Sequence, residues 1–313
     1  MDSRDVKSVV IVGAGTMGHS IAQVFAQAGI EVGLVDINKE ALERALRLIK
    51  SNLKTLADFG RVSSVEIPRI LERIHPSTDL AVAAQETDFA LEAVVEVPDV
   101  KREVFRQLDE LCSKDTILAS NTSTLDVFSI ADIRQPSRLV VSHWFAPPHI
   151  IPLVEVVSGP KTSPEALTFT VNLMKRLGKR PVVMKQFIPS YIVNRVQGAI
   201  SFIVMEMLAN GEATPEDIDL AVKTSLGIRL PIVGAVQTLD FTGLDLIYDI
   251  QNSFGMAEGL IKERVEQGHL GVKTSKGIYD YGGRSEEEIL QKRDELYLKM
   301  LNYLEDINAF DPV

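Results

Sequence analysis

The sequence predicts an α/β fold, with a largely parallel sheet domain followed by an all-α C-terminal domain. From residue 8 to about residue 185, short runs rich in Val, Ile and Leu alternate with longer amphipathic stretches, the pattern of a parallel sheet covered by helices. Beyond Lys185 the strand pattern stops, and helical stretches punctuated by Gly211, Pro215, Gly227, Pro231 and Gly243 take over. The expected domains are 1–187 and 188–313, with the boundary close to Pro189.

The first strand, 8–12, runs into Gly13-Ala14-Gly15-Thr16-Met17-Gly18 and then into the helical stretch HSIAQVFAQAG. Gly13 permits the tight turn, Gly15 lets the backbone approach a pyrophosphate, and Gly18 lets the helix pack closely on the strand. Thr16 and Met17 are carried in the same loop and count with it as cofactor contacts. The second strand, 31–36, ends on Asp36, eighteen residues after Gly18, where a carboxylate can accept hydrogen bonds from an adenosine ribose. Strand, glycine turn, helix and acidic residue together describe a Rossmann-type dinucleotide-binding domain. A carboxylate repels a 2′-phosphate, and Ile37-Asn38 offers no arginine to hold one, so the expected cofactor is NAD rather than NADP.

A helical stretch over about 39–73 follows and reads as a hairpin inserted into the sheet domain, carrying Lys50, Lys54, Arg61 and Arg73. Further strands are expected at 89–95, 116–121, 139–143, 153–157 and 181–185. The strand 116–121 leads into Ser120-Asn121-Thr122-Ser123, which offers polar groups at the sheet edge and reads equally well as a helix N-cap. Asn121 is counted there with the cofactor contacts.

His143 ends the strand 139–143 and so emerges at the carboxyl edge of the sheet, where open parallel sheets bind ligands. Oxidising an alcohol with NAD needs a base for the hydroxyl proton, and imidazole is matched to neutral pH. His19, His75, His149 and His269 lack that placement. Glu155 lies among aliphatic residues in 153–157, where a carboxylate needs a hydrogen-bond partner. If 144–152 brings the two strands side by side, His143 is that partner, and the carboxylate fixes the ring tautomer. A salt bridge from Glu155 to a lysine or arginine is the alternative. The helix after Pro189 is apolar nearly all round, so both faces are expected to be buried, one of them against a second subunit, with Asn194 as a buried amide.

Composition narrows the function classes. Of 313 residues, 45% are hydrophobic, enough for a large core, and a formal net charge of −10 disfavours nucleic acid as a partner. Cys112 is the only cysteine, so there is no intramolecular disulfide; no metal site is expected, and a reducing compartment suits the chain. The N-terminus has neither a cleavage-site pattern nor a membrane-length apolar run, which leads to the expectation of a cytoplasmic protein with no membrane partner.

Several segments resemble the 3-hydroxyacyl-CoA dehydrogenase family: VVIVGAGTMGHSIAQVFAQAG, EAVVEVPDVKREVF, ILASNTSTL, HWFAPPHIIPLVEVV, IPSYIVNR and HLGVKTSKGIYDY. The resemblance covers essentially the whole chain. It implies NAD-dependent, reversible oxidation of an L-3-hydroxyacyl-CoA to the 3-ketoacyl-CoA, in fatty acid metabolism, with His143 as base and Glu155 as its partner. It also implies that Ser123 and Asn194 lie around the substrate hydroxyl and carbonyl, that Glu96 and Lys101 contact the cofactor, and that the helical domain forms a homodimer. The 39–73 hairpin would close over part of the CoA, with Lys50 and Lys54 as candidate contacts. Three departures bear on the substrate. Ala146 stands where the family's His-Phe-Phe-Asn-Pro segment usually has asparagine, Ser190 replaces the glycine of Pro-Gly-Phe, and Gly234-Ala235 stands where Gly-Pro is frequent. PPHIIPLVEVV is closer to relatives that oxidise hydroxy acids not bound to CoA. Such a substrate, a sugar acid, free 3-hydroxy acid or hydroxymethyl carboxylate, is the second reading. A non-catalytic NAD-binding structural or sensor protein is the third, and it would keep the glycine loop without needing a base. A lysine-based dehydrogenase of the 6-phosphogluconate and 3-hydroxyisobutyrate type is disfavoured because the 191–198 segment has no lysine.

Overall fold

The computed structural model describes residues 5–256 and 258–311, in two compact units that divide at 198/199. In the first unit the chain alternates strand and helix: β1 (Ser8–Val12), α1 (Gly18–Gln27), β2 (Glu31–Val35), α2 (Lys39–Asp58), α3 (Ile67–Glu72), β3 (Ile74–Ser77) and α4 (Leu80–Ala83). It continues through β4 (Phe89–Glu92), α5 (Pro98–Leu111), β5 (Ile117–Ser120), α6 (Val127–Ile130), β6 (Leu139–Trp144), β7 (Leu153–Ser158), α7 (Pro164–Arg176) and β8 (Arg180–Met184) to the start of α8 (Val193–Asn210). The sheet order is β3-β2-β1-β4-β5-β6-β7-β8, and every neighbouring pair is parallel except β6 with β7. The chain reverses between β5–β6 and β7, and that one antiparallel ladder carries the candidate base.

Each expected strand forms, and β3 is an addition. Its sequence, Ile-His-Pro-Ser, is short, and its pairing runs along one side only, which is where a proline such as Pro76 is tolerated in a sheet. The expected hairpin consists of α2, capped by the Asn38 side chain accepting from the Ala41 N–H, a 3-10 turn at Ser64–Glu66, and α3. α2 buries Leu42, Ala45, Ile49 and Leu53, a spacing of three and four residues that presents one face to α1 and α3.

Strand alternation divides the interior into two cores. Val9, Ile11, Leu34, Ala119, Val140, Trp144, Val154 and Val156 pack with α1, α2 and α7, and Phe25 lies near the rings of both Phe89 and Trp144. Val10, Val12, Ala90, Leu118, Val141 and Val157 point the other way, onto Phe105 and Leu108 of α5 and onto Tyr191. Cys112 is buried in this second core, and burial pushes its thiol up to about 11, so it is a structural thiol at neutral pH.

The second unit contains the rest of α8, then α9 (Pro215–Ala221), α10 (Gly227–Thr242), α11 (Leu244–Ser253), α12 (Leu260–Glu266) and α13 (Glu286–Asp306). α10 carries Pro231 and breaks at Gly234, where φ is +69°. Buried Asp240 gathers the segment before α13, accepting hydrogen bonds from the N–H groups of Ile278 and Tyr279 and from the Tyr281 hydroxyl. No residue of α8 is buried. Its residues are exposed or half-buried in the single chain, so the expected burial of both faces, one of them against a second subunit, is not met by this chain alone. Among the described residues no single helix is long and apolar enough to cross a membrane, and no cluster of ligating side chains could hold a metal ion.

Candidate active site

The glycine loop meets the requirements of a dinucleotide cradle atom by atom. At Gly13 φ is +106°, and a Cβ there would stand 2.5 Å from the Ala93 carbonyl oxygen at the end of β4. A Cβ on Gly18 would overlap the Gly13 carbonyl, so helix and turn touch through backbone alone. At Gly15 a Cβ would meet nothing within 4 Å, which leaves its outer face open to a ligand. Asp36 is fixed by two backbone donors, the Ala14 N–H at 2.8 Å and the Asn38 N–H at 2.9 Å, one to each carboxylate oxygen. Each oxygen keeps lone pairs for a ribose diol.

A cavity of about 1560 Å³ runs from Asp36 and Ile37 over Gly13, Gly15, Thr16 and Met17 to Glu96, Asn121 and Ser123. Its volume exceeds the roughly 300–1,000 Å³ of ordinary small-ligand pockets, as a dinucleotide requires. The residues present therefore fit NAD, with Asp36 at the adenosine end and the open Gly15 face for the pyrophosphate. Ile37 is exposed and no arginine adjoins it in sequence, in keeping with a cofactor that lacks the 2′-phosphate.

At the far end of the cavity, the loop after β5 is tied to the loop after β4 through one carboxylate. Glu96 Oε1 accepts from the Thr122 hydroxyl and from the N–H groups of Ser123 and Thr124, at 2.5, 3.0 and 3.0 Å. Burial pushes the carboxyl up, but the Thr122 hydroxyl, the Lys101 charge and the Thr124 N–H outweigh it and hold Glu96 at about 2. Lys101 itself does not line the cavity. Its ammonium is buried, 2.7 Å from Glu92 Oε1 and 3.1 Å from Glu96 Oε2, and Glu92 also accepts from Ser120 and the Val94 N–H. Lys101 thus holds the two loops that shape the cavity wall, because a buried ammonium needs its anionic partners more than it needs water. Glu92 was not singled out from sequence, and Ser120 only as one of several polar groups at the sheet edge. A charged residue ending the apolar run Phe89–Glu92, nine residues before a lysine, is the signal that marks Glu92.

Asn121 bridges the two strand edges, its Oδ1 accepting from the Trp144 N–H at 2.9 Å. Ser123 lines the cavity, and its hydroxyl makes no hydrogen bond to a described residue. The Trp144 anchor fixes the backbone immediately after His143. His143 stands opposite Glu155 in the β6–β7 register, and its Nδ1 lies 2.9 Å from Glu155 Oε2, both side chains buried. An ionised carboxylate only accepts, so Nδ1 carries the proton and Nε2 is the nitrogen with a free lone pair.

The other oxygen of Glu155 accepts from the N–H groups of Ile192 and Val193, each at 3.0 Å. The carboxylate thereby occupies the N-terminus of α8, where the helix dipole and unpaired N–H groups favour negative charge. The turn that delivers those groups has two consecutive left-handed residues, Ser190 at φ +63° and Tyr191 at φ +50°. Such non-glycine conformations cost roughly 1–3 kcal/mol each and persist where the surroundings enforce them. Tyr191 is buried against the His143 ring, centroids 5.1 Å apart, and Phe145 meets the same ring at 4.6 Å. Asn194 follows one residue after Val193, half-buried, and belongs to the first compact unit rather than to the helical one.

Lys50 and Lys54 are exposed on α2 and line neither described cavity. At 3.6 residues per turn Lys50 and Lys54 lie about 120° and about 80° around the helix from Arg44, outside the stripe of Ala41, Arg44, Leu48 and Asn52 that does line one.

The model of the 3-hydroxyacyl-CoA dehydrogenase NAD-binding domain matches residues 8–187, and that of the corresponding C-terminal domain matches 191–281. A probable 3-hydroxybutyryl-CoA dehydrogenase of Bacillus subtilis is 35% identical over 88% of the chain and 98% of its own length. The 5-formyl-3-hydroxy-2-methylpyridine 4-carboxylate 5-dehydrogenase of Mesorhizobium japonicum is 31% identical over 88% of the chain and 91% of its own. Among solved structures, the 3-hydroxyacyl-CoA dehydrogenase of Archaeoglobus fulgidus superposes with a TM-score of 0.80 at 31% identity, covering 96% of the chain and 99% of its own.

Proposed function

The chain belongs to the 3-hydroxyacyl-CoA dehydrogenase family and is an NAD-dependent oxidoreductase, and from that premise we propose that it oxidises the 3-hydroxyl of an L-3-hydroxyacyl substrate, reversibly, to the 3-keto group. In this reading the substrate is the CoA ester, and NAD, when bound, would accept the hydride that leaves carbon. His143 takes the hydroxyl proton on Nε2. Glu155 keeps the ring proton on Nδ1 and balances the imidazolium that forms, while its own charge is held by the α8 N-terminus. The Ser123 hydroxyl and the Asn194 amide orient the substrate oxygens. The observation that carries the reading is the buried His143–Glu155 pair with one ring nitrogen left free.

The second reading, a hydroxy acid not bound to CoA, is favoured by Ala146, which cannot supply the amide that family members usually have there, and by the pyridine-carboxylate enzyme among the relatives. The proposal extends to a homodimer formed through the exposed apolar surface of α8 and to a cytoplasmic location, where the buried Cys112 stays reduced.

His143→Ala tests the base. Turnover of L-3-hydroxybutyryl-CoA should fall by about 10²–10⁴-fold, the usual contribution of a general base, with NAD affinity unchanged by fluorescence titration. Turnover at the wild-type rate would remove His143 from the mechanism.

A further inference from the structure

The loop of residues 145–152 joins the two strands that carry the candidate dyad, β6 with His143 and β7 with Glu155. Phe145 of this loop meets the His143 ring. Ala146, Pro147 and His149 line, with Gly15 and Thr16, a smaller cavity of about 270 Å³ beside the cofactor cradle. A segment so placed has to hold still, yet among its residues only Pro148 is buried, so hydrophobic contact does little to fix it.

Lys179 supplies the hold. It lies between α7 and β8, and its side chain is buried. Its Nζ donates to the Pro148 carbonyl and, at 2.9 Å, to the Ile151 carbonyl, and stands 5.2 Å from the centroid of the Trp144 ring. An ammonium has three N–H donors; two are spent on the loop, and the charge faces the indole, whose π-face attracts it. Trp144 is itself fixed, its main-chain N–H donating to Asn121 Oδ1 and its Nε1–H to Ser142 Oγ. One side chain therefore ties the loop to the residue that follows the base. The Ser20 hydroxyl adds a tie from α1, accepting the His149 main-chain N–H at 3.1 Å and lying 2.7 Å from the ring Nδ1.

Lys101, the other buried lysine of the site, has two carboxylate partners, whereas no carboxylate pairs with Lys179 among the described residues. The titratable groups that face it are His149 on the loop and, beyond it, His19 on α1. Lys175 and Arg176 at the end of α7 and Arg180 at the start of β8 flank it in sequence and are cationic as well. Burial pushes the ammonium down to about 8, so the charge is present at neutral pH and is lost just above it. Burial, with the neighbouring His19 and Lys179 charges, holds the His149 imidazole below the ordinary histidine range, so His149 is already neutral there. An uncharged amine keeps two N–H donors for the carbonyls but offers the ring no charge, and its hydrogen bonds lose their charge assistance.

We propose that Lys179 is a positioning residue for the oxidation: its ammonium clamps the loop after β6 onto Trp144 and so keeps Phe145 against the His143 ring. Loss of the charge releases the loop, which sets an alkaline limit on turnover. Lys179 lines neither cavity and acts only through the segment it holds. The inference rests on the dehydrogenase reading and adds a residue that this reading does not use.

Trp144 is the only tryptophan of the chain, so its fluorescence reads the clamp directly. In the wild type the emission should change with a midpoint near pH 8, and it should stay level through that range in Lys179→Met, which has an unbranched, uncharged side chain. The kcat for L-3-hydroxybutyryl-CoA with NAD should rise as His143 loses its proton and then fall with the same midpoint. In Lys179→Met the fall should be absent and kcat at neutral pH lower by up to about 10²-fold, the cost of a misplaced catalytic group, with NAD affinity unchanged by titration calorimetry. Lys179→Arg keeps its charge at every pH used, so it should restore part of kcat and carry no fall near pH 8. Wild-type fluorescence that is level through pH 8, a fall in kcat that persists in Lys179→Met or Lys179→Arg, or an unchanged kcat in Lys179→Met overturns the proposal. The wild-type fluorescence and Lys179→Arg decide the matter if Lys179→Met does not fold. A fluorescence midpoint near pH 8 that Lys179→Met abolishes, without turnover by the wild type, keeps the clamp and rejects the dehydrogenase reading. Turnover whose pH profile is the same in the wild type and Lys179→Met rejects the clamp and keeps the reading.

Discussion

At the scale of single residues, the site works by removing freedom from a few atoms. The His143 ring has one nitrogen tied to Glu155 and its faces and edges in contact with Phe145 and Tyr191, so the remaining nitrogen is held in one position. Tyr191 contributes through its ring, because its hydroxyl is buried without a hydrogen-bond partner among the described residues. A buried, unsatisfied hydroxyl lowers stability by roughly 1–3 kcal/mol, whereas an apolar replacement of the same shape is close to neutral or stabilising. Tyr191→Phe should therefore raise the urea midpoint, with an unchanged m-value, and retain the ring contact on His143. A lowered midpoint would mean that the hydroxyl has a partner, such as a bound water.

At the scale of elements, three segments at the carboxyl edge of the sheet are held by carboxylates, of which Glu92 and Glu155 are buried and Glu96 is partly exposed. Glu92 and Glu96 clasp Lys101 and the loop after β5, and Glu155 takes the start of α8. The Glu96 latch has a definite pH signature. Against the effect of burial, neighbouring donors and the Lys101 charge hold its carboxyl at about 2 in the folded protein, compared with 4.5 for an ordinary glutamate, so the unfolded chain binds more protons between those values. The stabilisation is complete above pH 4.5 and is lost as the pH falls toward 2. The side chain is 35% exposed, so solvent screens part of the effect. The urea midpoint of the wild type should exceed that of Glu96→Gln at pH 6, and the gap should shrink at pH 3. A gap independent of pH would show that the charge of Glu96 does not hold the loop.

At the scale of the whole molecule, the surface of α8 is the feature that one chain leaves unfinished. Phe202 and Met205 are 70% and 65% exposed, with Val196, Ile200 and Ile203 beside them in sequence on the same helix. A soluble chain rarely leaves a contiguous apolar surface of this kind in water, and a two-fold contact between identical helices would bury it. Sedimentation should give twice the chain mass for the wild type and a single chain mass for Phe202→Asp. A monomeric wild type would reject the homodimer.

Much of the site could be read from the sequence because its signals are local. The glycine spacing, the acidic end of β2 and the alternation in β6 and β7 are properties of short segments, and backbone sterics and the two-residue period of a strand convert them directly into geometry. The choice of His143 over His149 as candidate base came from such a pattern, as did Glu155. What holds those residues came from elsewhere in the chain. The α8 N–H groups on Glu155 lie 37 and 38 residues away, and the Asn121 bridge to Trp144 spans 23. β3 forms despite Pro76 by pairing with β2, far back in the sequence, and Lys101 becomes a buried strut through a turn that brings Glu92, nine residues earlier, against its ammonium. The sequence by itself determined the fold class, the dinucleotide cradle and the identity of the histidine–carboxylate pair. Only the tertiary structure decided which face each helix presents and which carboxylates are held by lysine or by helix N–H groups. Local patterns are fixed by near neighbours, whereas these arrangements depend on which distant surfaces bury the most apolar area while leaving each buried charge a partner.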